Sequence, residues 1–141
     1  MRRSEARELV LHVLYEREFV NTPLVEMVSE LELEDQGKYI EETLRGVLDH
    51  LGDLDEMIGH YAVGWRVERL AVLDRNILRL GLYELLHAPD IPAEVVINEA
   101  VELSKKYGTE NAQSFINGIL DRAWKENAIE GGTAPPVPQA P

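Results

Sequence analysis

Apolar residues recur at three- and four-residue spacing along most of the chain, the pattern of helices that each bury one face, and alternating β-branched runs are scarce. A first segment to about Phe19 sets Ala6, Leu9, Val10, Val13 and Leu14 on one face, with Ser4 as the expected N-cap. Thr22 and Pro23 read as cap and first residue of a short second helix through about Leu31, since proline at that position gives up no needed hydrogen bond. Asp35 is expected to cap a third helix, with Ile40, Leu44, Val47, Leu48 and Leu51 inward and Gly52 as its stop. Asp53 and Glu56 have capping-box spacing, so Leu54, Met57, Ile58 and Tyr61 should line a fourth.

A break follows at Gly64. From about Arg66 to His87, Leu70, Leu73, Ile77, Leu80, Leu82, Leu85 and Leu86 form a wide apolar stripe, which predicts a long, central, mostly buried helix. The stretch Ala88-Pro89-Asp90-Ile91-Pro92 ends it, because each proline fixes its own φ and drives its predecessor out of the helical region. Pro92 opens a helix carrying Val96, Ala100 and Leu103 inward and stopping at Tyr107-Gly108. A last helix, about Glu110 to Glu126, packs Phe115, Ile116, Ile119, Leu120 and Ala123. The expected fold is all-α: about seven helices in two halves, about 1–64 and about 65–130, followed by a stretch, 131–141, predicted to be disordered for want of core-forming residues.

Length supports the same picture, since 141 residues make about one domain. Charge complicates it. The net charge is -12, and up to His60 there are 6 Lys or Arg against 15 Asp or Glu. Such a balance disfavours a nucleic-acid binder, whose phosphate contacts come from clustered Lys and Arg. Yet Arg2, Arg3 and Arg7 gather at a helix start, where the dipole makes cations costly and anions welcome, so an anionic partner is expected there. Arg75 and Arg79, at i and i+4, likewise call for a nearby anion, with Asp74, Glu84 or a phosphate as the candidates.

Catalytic chemistry finds no foothold. The chain has no Cys, no glycine-rich phosphate loop and no nucleophile elbow, and its four histidines lie far apart in sequence. The acidic clusters sit at helix starts, where carboxylates complement the dipole. The expectation is a non-enzyme without metal or cofactor. The charged N-terminus is unlike a signal peptide, and no apolar run approaches the roughly 18 to 20 residues of a membrane span, which points to a cytoplasmic protein.

Three stretches, VLDRNILRLGLYELL, DIPAEVVINEAVELSKKYG and NAQSFINGILDR, occur in that order at close spacing, and together they resemble the NusB family. The arginine-bearing start followed by Leu14-Tyr15 is similar to that family's N-terminal RNA-binding helix, so the resemblance spans about residues 2 to 127. It implies an all-helical, non-enzymatic transcription antitermination factor that pairs with NusE, a small-subunit ribosomal protein. The pair reads boxA single-stranded RNA of ribosomal RNA transcripts and joins the elongating RNA polymerase complex through other Nus factors. The family contains monomers and homodimers.

By the same resemblance, Arg2, Arg3, Arg7, Tyr15, Arg79 and Phe115 are the implied RNA contacts, and Asp74 and Asn111 the implied NusE contacts. Family members often carry a denser arginine run and an acidic residue in place of Asn111; here Ser4 and Glu5 interrupt the run, which predicts weak RNA affinity without NusE. The acidic field suits a basic ribosomal protein partner. Asn98 is expected to be a buried amide bonded to a neighbouring backbone, and Gly118 to let two helices approach closely. Two other readings compete: a protein adaptor in ribosomal subunit assembly without boxA recognition, and the NusB-like domain of a ribosomal RNA cytosine methyltransferase.

Overall fold

A computed structural model describes residues 1–128, so the predicted disorder of 131–141 lies outside the described residues. Seven α-helices follow one another: α1 (Arg3–Arg17), α2 (Leu24–Ser29), α3 (Gly37–Asp49), α4 (Leu51–Tyr61), α5 (Val72–His87), α6 (Ala93–Tyr107) and α7 (Ala112–Ala128). Short 3-10 turns, Glu34–Gln36 and Val67–Arg69, precede α3 and α5, and no strand occurs among the described residues.

The stripe in α5 makes it the axis. It touches α1, α3, α4, α6 and α7, and Ile77, Leu78, Leu80 and Leu82 are at most 2% exposed. Around them, Val10 and Leu14 of α1, Ile40 and Leu44 of α3, Met57 and Ile58 of α4, and Ile116 and Leu120 of α7 join one continuous apolar cluster. Periodicity alone put all of these but Leu78 on inward faces, because burial of a helix stripe is the main force that orders short helices in a small protein.

Helix ends depart from expectation where a tertiary contact outweighs a local cap. Helix α1 starts at Arg3 with Arg2 as its N-cap residue, so Ser4 already lies inside the helix. The Glu5 carboxylate accepts the Arg2 backbone N–H at 2.8 Å and offsets the cations at the positive end of the dipole. Gln36, not Asp35, precedes α3, because the residues from Glu34 form the 3-10 turn that leads into it. Gly52 does not stop α3 and Asp53 does not cap α4. The chain bends instead at His50, with φ -108° and ψ 16°, and α4 begins one residue later.

The central helix begins at Val72 rather than near Arg66, because Leu70 is extended and turned into the core. Likewise α7 begins at Ala112, after a turn in which Asn111 takes a positive φ of 68°. Gly118 has open space where a Cβ would stand, and the close approach belongs to Gly81, where a Cβ would lie 2.9 Å from Leu120. Asn98 faces solvent: α6 buries Val96, Ala100, Leu103 and Ser104, and Asn98 falls between those turns on the other side.

Gly108 ends α6 in extended conformation, φ -78° and ψ 171°, so a left-handed cap is not its reason for being glycine. A Cβ there would meet the Ser104 carbonyl oxygen at 2.7 Å and an Asp74 carboxylate oxygen at 2.9 Å. Neither neighbour is the free end of a flexible side chain. Gly108→Ala is therefore expected to lower stability by about 1–3 kcal/mol, the usual cost of overpacking, read as a lower urea midpoint at unchanged m-value.

Candidate nucleic-acid interface

The three N-terminal arginines have separate fates. Arg2 extends into solvent with its side chain 83% exposed and only a loose contact, 3.4 Å, to Glu5. Arg3 is exposed too, but organised: its Nε donates to Gln36 Oε1 at 2.8 Å and its guanidinium lies 4.1 Å over the Tyr39 ring. Arg7 is 3% exposed. Its Nε and Nη2 donate to the two oxygens of Glu84, at 2.8 and 3.2 Å, and its Nη1 to Glu99 at 3.1 Å.

Tyr39 completes this cluster by donating its hydroxyl to Glu84 at 2.9 Å. Burial first, and the Glu84 charge second, push the Tyr39 phenol far up, so it stays a donor at every physiological pH. For Arg7 burial opposes the charge, but the hydrogen bonds and charge of Glu84 prevail and raise its pKa. Arg7 thus locks α1 onto α5 and α6, while Arg2 and Arg3 present cations at the end of the helix it fixes.

Arg79 is equally buried at 7%. Asp55 of α4 grips it in bidentate fashion, with Nε and Nη2 each 2.7 Å from a carboxylate oxygen, and Glu18 takes Nη1 at 2.8 Å. Glu18 also accepts from Arg75 Nη2 at 2.7 Å and Asn76 Nδ2 at 3.2 Å. The anions that reconcile Arg75 with Arg79 are therefore Glu18 and Asp55, not Asp74 and Glu84. Both expected carboxylates are committed elsewhere, Glu84 to Arg7 and Asp74 to Thr109.

Asp74, 6% exposed, accepts the Thr109 hydroxyl at 2.6 Å and its backbone N–H at 3.2 Å, which pins the turn between α6 and α7 to the start of α5. That turn carries exposed Asn111 into the side of a groove of about 320 Å³, with Phe115, Leu70, Ala71 and Trp65 among its other walls. Phe115 is half-buried there, while Trp65 is 58% exposed. Nearer the end of α1, Tyr15 and Phe19 are 40% and 64% exposed and meet edge to face, with ring centroids 5.0 Å apart.

Three of the implied RNA contacts, Arg2, Arg3 and Tyr15, therefore lie open and Phe115 partly so, whereas Arg7 and Arg79 are engaged inside the protein. Of the implied NusE contacts, Asn111 is open and Asp74 holds the turn that presents it. Sequence reasoning missed Tyr39, Glu18 and Trp65. The first two are marked only by partners far along the chain, but the position of Trp65 in a break between helices is a local signal of exposure. Asn117 also faces solvent.

His50 and His87, distant in sequence, stack with centroids 4.1 Å apart, and Tyr83 lies 5.3 Å from His87. Among the described residues no three His, Asp or Glu side chains form a group able to hold a metal ion, and no helix is long and apolar enough to cross a membrane.

Glu5, Glu8 and Glu18 all titrate low, Glu5 through the hydrogen bonds it accepts from Arg2. Burial opposes ionisation of Glu18, but hydrogen bonds from Asn76 and Arg75 and the two guanidinium charges hold its pKa below the ordinary value of 4.5. Glu8, bonded by Lys106 at 2.8 Å and by the Tyr107 hydroxyl, is lowered as well. A depressed folded-state pKa adds stability above the unfolded value that is lost as pH falls through the folded one. The urea midpoint is expected to change little from pH 7 down to about 4.5 on account of these groups, then to fall, with a shallower acid decline in Glu18→Gln.

The NusB family matches residues 4–125. A relative from Pseudothermotoga lettingae, named transcription antitermination protein NusB, is 41% identical over 133 residues, covering 92% of this chain and 95% of the relative. The Bacillus subtilis protein of the same name is 40% identical, covering 85% and 92%. Among solved structures, T. maritima NusB superposes with a TM-score of 0.86 at 39% identity, over 94% of this chain and 96% of the other. A chain from the crystal structure of antitermination factors NusB and NusE in complex with dsRNA superposes at 0.76 with 28% identity, over 88% and 96%.

Proposed function

Because this chain belongs to the NusB family, we propose that it acts as a transcription antitermination factor, binding RNA together with NusE. The observation that carries this reading is the likeness along nearly the whole chain to a protein solved with NusE and RNA. In this reading boxA single-stranded RNA is the target, the elongating RNA polymerase complex in the cytoplasm is the place of action, and binding and positioning are the chemistry. The relatives it matches are named as antitermination factors rather than enzymes.

The open residues divide the work. Arg2 and Arg3 meet phosphates beside the free N–H groups of α1, where the positive end of the helix also favours anions. Tyr15 and Phe115 offer ring faces on which unpaired bases stack. Arg7 acts one step back, by fixing the helix that carries the two outer arginines. Asn111, set in place through Asp74 and Thr109, belongs to the NusE side, and the acidic surface attracts a basic ribosomal protein.

Two free arginines on a chain of net charge -12 make a weak electrostatic site, so the NusE complex, not the lone protein, is the competent binder. Replacing both Arg2 and Arg3 with alanine tests the division of labour. With single-stranded RNA each lost phosphate contact lowers the slope of log K against log salt by about 0.7, so the double variant should flatten it by about 1.4. Affinity for NusE should stay the same. An unchanged slope would remove the two arginines from the interface.

A further inference from the structure

We propose that Tyr39 is a positioning residue of the RNA site: its ring seats the Arg3 guanidinium in one place and leaves the two terminal nitrogens of that group for an RNA anion. The inference rests on the RNA-binding reading above and deepens it by a residue outside the implied contacts. Arg3 lies 4.1 Å over the Tyr39 ring, and its Nε donates to Gln36 Oε1 at 2.8 Å. Its Nη1 and Nη2 have no hydrogen-bond or ion-pair partner among the described residues. The ring and Gln36 thus hold the body of the guanidinium and one nitrogen, and the rest of the planar fork stays available to a phosphate.

Tyr39 can seat an exposed arginine because it is itself anchored in the interior. Its hydroxyl donates to Glu84 at 2.9 Å, and Glu84 is 2% exposed and takes two more hydrogen bonds from Arg7. The Arg7 guanidinium also lies 5.6 Å from the centroid of the same ring. One phenol therefore joins the buried ion pair to the outer cation. Its ring also answers the cost of a cation at the positive end of α1, since an aromatic face carries the partial negative charge that attracts a guanidinium.

Arg2 has no such support. Its side chain is 83% exposed, and its Nε stands 3.4 Å from Glu5. To hold an anion, Arg2 must give up the freedom of a mobile side chain, a loss that Arg3 has largely incurred in the folded protein. The two arginines carry equal charge but unequal readiness, which makes Arg3 the stronger contact. Positioning alters the order lost on binding and leaves the number of phosphate contacts as it was. Its removal shifts affinity by one factor at every salt concentration, whereas removal of a charge also flattens the salt slope.

The test uses the full chain in complex with NusE and a fluorescently labelled boxA oligonucleotide, titrated at several salt concentrations. Tyr39→Leu should bind about fivefold more weakly throughout with the wild-type slope, and Tyr39→Phe, which keeps the ring, should recover most of that loss. Arg3→Ala should flatten the slope by about 0.7, and Tyr39→Leu added to it should weaken binding no further. A Tyr39 that merely supports the fold would weaken binding as much with Arg3→Ala as without it. That result overturns the proposal, as does wild-type affinity in Tyr39→Leu.

Should Tyr39→Leu fail to fold, Arg3→Lys decides. It is a surface change that keeps the charge but loses the planar fork and the bond to Gln36, so about fivefold weaker binding at an unchanged slope is expected and wild-type affinity overturns the proposal. Wild-type binding by Arg3→Ala would remove the positioning role and leave the function reading to the other contacts. If the wild-type complex forms and does not bind boxA RNA, both readings fall.

Discussion

Replacing Arg7 with alanine is expected to cost about 3–5 kcal/mol of folding stability, because it leaves the buried Glu84 carboxylate without its counter-charge. Glu84 is 2% exposed and spans the contact between α1 and α5, so water cannot easily take the place of the guanidinium. Tyr39 would still donate to it, which is too little for a buried charge. The informative control is Arg7→Met with Glu84→Gln: the fully buried carboxylate is gone, the amide oxygen still accepts from Tyr39, Glu99 at 26% exposure can rehydrate, and most of the lost stability should return. Urea unfolding of the three proteins measures this, and a loss below about 1 kcal/mol in Arg7→Ala would mean that the pair does not hold α1 in place.

Arg79→Met is expected to be nearly as damaging, at about 2–4 kcal/mol. It loosens three helices at once, since Arg79 on α5 ties Asp55 of α4 to Glu18 at the end of α1. The estimate is lower than for Arg7 because the carboxylates left behind are only partly buried, 30% exposed at Asp55 and 22% at Glu18, and can rehydrate. Methionine keeps most of the apolar stem, so the loss reports the charge rather than a cavity. Equilibrium unfolding gives the size of the effect. Asp55→Asn, which keeps one acceptor, should fall between this variant and the wild type.

These two arginines also show where sequence reading reaches its limit. The helices were legible because each buries a stripe, and a stripe is written in spacing. The partner of a charged residue is not written there: Glu84 lies 77 positions from Arg7, and Glu18 lies 61 from Arg79. A long-range ion pair leaves no local pattern, so an arginine bound for the core looks like one bound for RNA.

One signal was nevertheless present. Arg7, Val10 and Leu14 follow the same helical period, which places Arg7 within the buried stripe of α1, whereas Arg2 and Arg3 precede that stripe. Asp74 gives the same lesson from the other side. It stands at the start of a helix, where an acid needs no partner to be explained, and only the fold brings Thr109 to it. Misjudged helix ends have a similar cause. The capping signals at Ser4 and Asp53 were real local preferences, each worth about 1 kcal/mol, and packing of the neighbouring apolar residues overrode them.

Electrostatics and geometry together give a protein that presents little positive charge by itself. Arg7 and Arg79 are spent on holding helices, and the outer arginines stand at the edge of an acidic surface. Such a chain is expected to bind RNA well only when a basic partner neutralises that surface and lengthens the track. Dependence of RNA binding on NusE is thus what the charge distribution predicts.

The most direct test is fluorescence anisotropy of labelled boxA RNA titrated with this protein alone and with its equimolar NusE complex, at two salt concentrations and against a scrambled RNA. The expected result is tighter, sequence-selective and salt-sensitive binding by the complex, with weak binding by the protein alone. Equal affinity for boxA and scrambled RNA, with the NusE complex shown to form and a known boxA binder working as control, would contradict the account.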